Sequence, residues 1–235
     1  MKINVAFNRD CMEAMKEFPD KFFDLAVVDP PYGGAISADA EDTFKGATVR
    51  RFGGRIDKYI KAERTGGTWA EKYGKNINHW DIAPSPEYFQ ELARVSKNQI
   101  IWGGNYFGLP PTRCFLVWRK LTISENFTMA MAEYAWTSFN ENAKVFEYQP
   151  QDMTRFHPTQ KPVALYRWIY QHYAKPGDKI LDTHLGSGSS RIAAYDANLD
   201  FWGYEIDKTY FQLQEERFAR HTAQTSLFID GLETI

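Results

Sequence analysis

The stretch DLAVVDPPYGG, residues 24–34, decides how the rest of the chain is read. Four apolar residues, Leu25 to Val28, run into Asp29, and Pro30, Pro31, Tyr32, Gly33 and Gly34 follow. A short apolar run without polar alternation suits a strand covered on both faces, as in a parallel sheet. Two prolines then end the strand and stiffen the backbone, because proline presets φ and has no N–H to donate. A carboxylate and an aromatic ring are thereby held at the tip of a buried strand. Taken alone, the pattern also fits an ordinary proline turn.

Working outward, other strand-like runs end in equally unusual sequences. Lys2 to Phe7 leads into NRD (8–10), Lys179 to Asp182 into DTHLGSGSS (182–190), and Phe201 to Tyr204 into GYEID (203–207). Aromatic-rich strands are predicted at Gln99–Trp102, Phe115–Trp118 and Glu133–Thr137. Helices are predicted at Met12–Phe18 (with Asp10 as cap), Pro86–Ser96, Pro162–Tyr173, Ser189–Ala197 and Lys208–His221. Strands alternating with helices predict an α/β fold with a doubly wound, mostly parallel sheet and helices on both faces. Ligands in such sheets sit beyond the carboxyl ends of the strands, so the four motifs are expected on one rim.

In DTHLGSGSS, Gly186 and Gly188 allow a tight turn and close backbone approach to a ligand. Glu205 ends the next strand about twenty residues later, a spacing that suits a carboxylate on ribose hydroxyls. No Gly-Lys-Ser/Thr follows, and the third glycine of a dinucleotide fingerprint is missing, which favours a nucleoside cofactor without a pyrophosphate. In HPTQKP (157–162), Thr159 can cap a helix and Pro162 can occupy its first turn. A lysine there opposes the helix dipole, so Lys161 suggests an anion to bind, such as a carboxylate.

Composition sets outer bounds. At 235 residues with 43% hydrophobic and 25% charged residues, the chain suits one soluble globular domain. No apolar stretch approaches membrane-span length and the start does not resemble a signal peptide, so a cytoplasmic protein without a membrane partner is expected. Two cysteines, Cys11 and Cys114, supply neither a disulfide framework nor a cysteine-rich metal site, and no metal is expected. The net charge is −2, yet Thr43 to His79 carries nine Lys or Arg against three acidic residues. A local basic patch fits contact with a polyanion or a solvated loop.

Together DPPY, HPTQKP, D-x-x-x-G-S-G and a following G-x-E resemble the S-adenosylmethionine-dependent DNA amino-methyltransferases. With DPPY first and the glycine turn later, the order resembles the β group of adenine-N6 and cytosine-N4 enzymes. FLVW and EYAWTSF resemble that family's central strands, so the likeness runs from Asp10 to about Arg217. It implies a circularly permuted, Rossmann-like methyltransferase fold, S-adenosylmethionine as cofactor, double-stranded DNA as substrate and a plausible homodimer. Asp182, Gly186 and Gly188 would line the methionine and ribose of the cofactor, and Glu205 would bind the ribose hydroxyls. Thr159 and Lys161 would hold the methionine end, and Asp10 and Cys11 would meet the adenine ring. Thr183 and His184 stand where the family usually has Pro and Phe, with His184 packing on the cofactor.

The resemblance also gives DPPY a mechanism. Asp29 and the Pro30 carbonyl would accept both hydrogens of an exocyclic amine, Pro31 would keep the turn rigid, and Tyr32 would stack the extruded base. Asp before the prolines favours adenine over cytosine-N4, which stays open as an alternative. A non-catalytic partner subunit of the same fold is a further alternative, disfavoured by the intact motifs. The basic insertion, about 33–85, is expected to be a lid that orders on DNA, with Arg50, Arg51, Arg55 and Lys58 near phosphates. Residues 140–156 form a short second candidate for target recognition, and Asn105 in WGGNYFGLPP (102–111) a candidate border of the base pocket.

Overall fold

The computed structural model describes residues 3–32, 82–124, 130–150 and 154–232. The chain divides into two compact units, one of Met1–Pro30 with Ser85–Ile235, the other Pro31–Pro84. Arg50, Arg51, Arg55 and Lys58, and with them the expected lid, lie outside the described residues.

The larger unit is built on eight strands: β1 (Asn4–Phe7), β2 (Phe23–Val28), β3 (Ser96–Trp102), β4 (Phe115–Lys120), β5 (Ala132–Thr137), β6 (Lys144–Tyr148), β7 (Lys179–Asp182) and β8 (Asp200–Tyr204). Among the described residues, four α-helices lie between strands, α1 (Cys11–Met15), α2 (Pro86–Val95), α3 (Val163–Tyr173) and α4 (Ser189–Asp196), and a fifth, α5 (Lys208–Leu232), follows β8. The strands form one sheet in the order β1-β8-β7-β2-β3-β5-β4-β6. All neighbouring pairs are parallel except those made by β5, which runs against both β3 and β4. The sheet is therefore mostly parallel, and the fold is α/β.

The apolar run in β2 divides its side chains between the two faces. Leu25 and Val27 join a core with Ile100, Trp102, Leu165 and Ile169, beneath α3 and α4. Ala26 and Val28 join a second core with Met15, Leu92, Leu181 and Trp202, on the side of α1 and α2. Covering both faces is what an unbroken apolar strand requires.

Several boundaries differ from the sequence expectation. β3 begins at Ser96, directly after α2, so helix and strand meet without a loop. β6 was not expected: Lys144–Tyr148, inside the 140–156 stretch, pairs in parallel with β4 at the sheet edge. Its mixed polar character hides it, because an edge strand needs little burial. Helix α3 starts at Val163 with Pro162 as its extended cap residue, so Thr159 lies outside the helix rather than capping it.

WGGN (102–105) is explained by packing. A Cβ on Gly104 would lie 2.4 Å from the Trp136 Cβ and 3.1 Å from its backbone nitrogen. Only backbone movement could relieve that overlap. Gly104→Ala is expected to cost about 2–3 kcal/mol, a fall in Tm of about 6 °C for a chain of this size. Differential scanning calorimetry checks this, and a wild-type Tm would count against the crowding argument. Asn105 and Tyr106 follow in an exposed turn.

Candidate active site

β2 and β7 are neighbours, and the chain leaves them in opposite directions across the sheet, β2 toward β3 and β7 toward β8. This is a topological switch point, where α/β sheets open a crevice beyond the strand ends. Asp29 follows β2 and Asp182 ends β7, so two carboxylates stand at the crevice.

The glycine turn after β7 is held by backbone geometry and by Glu205. Gly186 and Gly188 adopt φ of +50° and +73°, a region that disfavours any side chain. A Cβ on Gly186 would meet the His157 ring at 3.2 Å, and one on Gly188 would meet Gln214 at 3.1 Å. The Glu205 carboxylate accepts the backbone N–H groups of Gly186 and Asp207, each at 2.8 Å. Asn8 donates to the Glu205 carbonyl at 2.8 Å, tying the end of β1 to the end of β8. Burial pushes the Glu205 carboxyl upward against these bonds.

Asp182 is buried, accepts the His184 backbone N–H at 3.0 Å, and is bonded by the Ser190 hydroxyl. Burial raises its carboxyl to about 7, with those two bonds opposing the shift and the charge of Asp29 adding to it. Next to it, Tyr88 from α2 bonds Thr183 at 2.6 Å, and Thr183 bonds His184 Nδ1 at 2.9 Å. Burial lowers His184 to about 4, so its imidazole is neutral at physiological pH. Thr183 and His184 thus bind α2 to the glycine turn, a contact that Pro and Phe could not make.

Asp10 accepts the Glu13 N–H at 3.0 Å and caps α1. Cys11, the first residue of that helix, is pushed up to about 12, chiefly by burial and then by Asp10, and stays a thiol. In HPTQKP, His157 is buried and lowered to about 3, mainly by burial, and packs edge-on to Tyr210 with ring centroids 4.3 Å apart. Thr159 is exposed.

Lys161, expected to meet a methionine carboxylate, is paired within the chain. Its side chain is 3% exposed and its ammonium is paired with Asp29 and, at 3.1 Å, with Glu133 at the start of β5. The Trp102 ring lies beneath it, 5.3 Å from Nζ to the centroid. Glu133 also pairs with Lys120, the last residue of β4, at 2.6 Å. Burial alone would lower Lys161, but the charges of Asp29 and Glu133 outweigh it and hold the ammonium above its usual range. Burial likewise would raise Glu133, and Lys161 and Lys120 instead bring it down to about 2.

The rim thus gathers Asp29, Lys161, Asp182, Gly186, Gly188 and Glu205 in the larger unit. Pro30 belongs to that unit and Pro31 and Tyr32 to the smaller one. Sequence reading missed Glu133, Lys120, Tyr88 and Ser190. A charged residue at the end of an aromatic strand, as in FLVWRK and AEYAWT, was the available signal.

Among described residues, no helix is long and apolar enough to cross a membrane, and no group of three or more His, Cys, Asp or Glu could hold a metal.

Comparison with known proteins places this rim in a family. The chain is 25% identical to the type II methyltransferase M.BglII of Bacillus subtilis over 90% of its length and 68% of the relative's. It is 24% identical to M2.MboI of Moraxella bovis, covering 90% of the chain and 86% of that protein. Among solved structures, the M1.HpyAVI–SAM complex matches with a TM-score of 0.53 at 17% identity, covering 90% of this chain and 98% of the other. The cytosine-N4-specific PvuII methyltransferase matches at 0.58 and 12% identity, covering 91% and 86%. Both structures share the fold. The N6_N4_Mtase family of DNA methylases matches residues 23–216, most of the chain and every motif on the rim except NRD, and the protein belongs to that family.

Proposed function

We propose that this DNA methyltransferase transfers a methyl group from S-adenosylmethionine to the exocyclic N6 amine of adenine in double-stranded DNA. The observation that carries the reading is Asp29, followed by Pro30, standing beside the glycine turn at the switch point. A relative's type II methyltransferase name and the SAM complex of a fold neighbour support it.

The residues present fit the cofactor. Two carboxyl groups, Asp182 and Glu205, border the glycine turn, which disfavours a pyrophosphate and suits a group with hydroxyls and positive charge. Glu205 and the backbone of Gly186 and Gly188 would hold its ribose and methionine parts, with His184 beside them and Asp10 and Cys11 toward the adenine. Thr159, exposed next to the turn, would reach the methionine end. When bound, S-adenosylmethionine supplies an electrophilic methyl group.

The chain's own groups then prepare the amine. An exocyclic amine is a weak nucleophile because its lone pair is conjugated with the ring. Asp29 and the Pro30 carbonyl accept its two hydrogens and draw the nitrogen toward tetrahedral geometry. Pro31 keeps an N–H from competing, and Tyr32 stacks the base once it has left the duplex. Lys161 pairs with the Asp29 carboxylate and fixes its place at the rim. Placement and aimed acceptors are worth the most when water is excluded.

Digesting DNA methylated by the purified protein to nucleosides and separating them by mass spectrometry tests the reading. N6-methyladenosine in deoxy form is the expected product, dependent on added cofactor. N4-methylcytosine in its place would reassign the base, and no methylated base on diverse DNA would overturn the reading.

A further inference from the structure

The rim holds more charge than the transfer just described uses. At the rim stands an alternating row of charges, the lysines buried and the carboxylates partly so: the Asp29 carboxylate, the Lys161 ammonium, the Glu133 carboxylate and the Lys120 ammonium. These come from four separate segments: the end of β2, the loop before α3, the start of β5 and the end of β4. Glu133 divides its two oxygens, Oε2 toward Lys161 and Oε1 toward Lys120.

We propose that Glu133 is a positioning residue for methyl transfer, acting on Asp29 through Lys161. The inference rests on the reading of Asp29 as the amine acceptor. If Lys161 faced Asp29 alone, its whole charge would fall on that carboxylate and weaken it as an acceptor for the amine. Glu133 takes part of the ammonium's hydrogen bonding, at 3.1 Å, so that its charge is shared between two carboxylates. Lys120 in turn holds Glu133 in place, so the row is neutral in sum and fixed at both ends. A buried charge row of this kind is a poor source of stability compared with apolar packing, which favours a positioning role for it.

Among the described residues, the groups facing Lys161 are Asp29 just after β2, Glu133 from β5, the Trp102 ring from β3, Tyr166 from α3 and the neutral His157 from its own loop. Of these, Asp29 and Glu133 are the carboxylates, and Tyr166 is held protonated by burial. Loss of Glu133 therefore halves the carboxylates holding the ammonium.

Glu133→Gln and Glu133→Asp, with the Lys120→Met/Glu133→Gln pair variant, test the proposal in two ways. Glu133→Gln is expected to lower kcat about 10-fold, with KM for DNA and cofactor within about twofold, as for a group acting in the transition state. Glu133→Asp keeps the charge and is expected to recover most of that loss. The second readout needs neither cofactor nor DNA: the Lys161 side-chain nitrogen, followed by 15N NMR as pH rises. Its titration is expected to move to lower pH in Glu133→Gln and to stay near the wild-type position in Glu133→Asp. The pair variant removes one charge of each sign and should repeat the effects of Glu133→Gln should the single variant fail to fold. Wild-type kcat with an unmoved lysine titration overturns the proposal, as does an equal loss in Gln and Asp variants. A wild-type protein that methylates no base would instead overturn the amine-transfer reading, and the lysine titration would still report whether Glu133 governs Lys161.

Discussion

Asp29→Asn is expected to reduce kcat about 1,000-fold, near 4 kcal/mol of transition-state stabilisation, the range for losing an aimed electrostatic contact. The amide keeps the shape of the side chain and one oxygen, so the base can still enter. It loses the charge that draws hydrogen from the amine and sets Lys161 against a neutral partner. Lys161 retains Glu133, so the protein is expected to fold and to bind cofactor within a few-fold of wild type. Single-turnover methyl transfer beside calorimetric cofactor binding measures both. A variant keeping more than a tenth of the wild-type rate would show that Asp29 is an anchor for Lys161 and not the amine acceptor.

Lys161→Met acts at the same place from the opposite side and is expected to have the largest effect on stability. It leaves Asp29 and Glu133 without the ammonium they share, and Glu133 with Lys120 alone. Removing one partner of a buried ion pair costs about 3–5 kcal/mol, because the carboxylates lose the charge that offset their desolvation. For a domain of this size that is a fall in Tm of about 10 °C. The sign with pH follows from the shifts. Glu133 is depressed to about 2, so its contribution is full above the ordinary carboxylate range and fades as pH falls from there toward 2. Lys161 is raised, so its contribution is full below the ordinary lysine value and fades only as pH rises through the higher folded one. The gap in Tm between wild type and Lys161→Met is therefore expected to be widest from about pH 5 to pH 10 and to narrow below about pH 4. Thermal melts across that range check it, and equal Tm values at pH 7 would contradict the pairing.

Much of the fold could be read in the chain. The unbroken apolar run at 25–28 suits a strand covered on both faces, and the two cores show it covered so. Alternating strands and helices gave the α/β class. What escaped was local and polar. β6 alternates and sits at an edge, where it pairs with β4 and packs mainly Phe146 inward against Trp168, so only a weak hydrophobic signal marks it. The start of α3 was misplaced because Thr159 and Pro162 both have cap character. The residue before a proline is pushed to extended geometry, which holds Lys161 outside the helix.

The sequence by itself determined which residues end four of the parallel strands, since each apolar run stops at a polar or charged residue: Asn8, Asp29, Asp182 and Glu205. From that followed the rim, the glycine turn and the family. Only the tertiary structure decided the partner of Lys161. β5 runs against its neighbours, so its first residues arrive at the rim where the parallel strands finish, and Glu133 stands opposite Trp118 of β4. A cation 28 residues away in the chain is thereby placed between that glutamate and Asp29. Coulomb attraction across a gap of about 3 Å, little screened by water, holds the ammonium there.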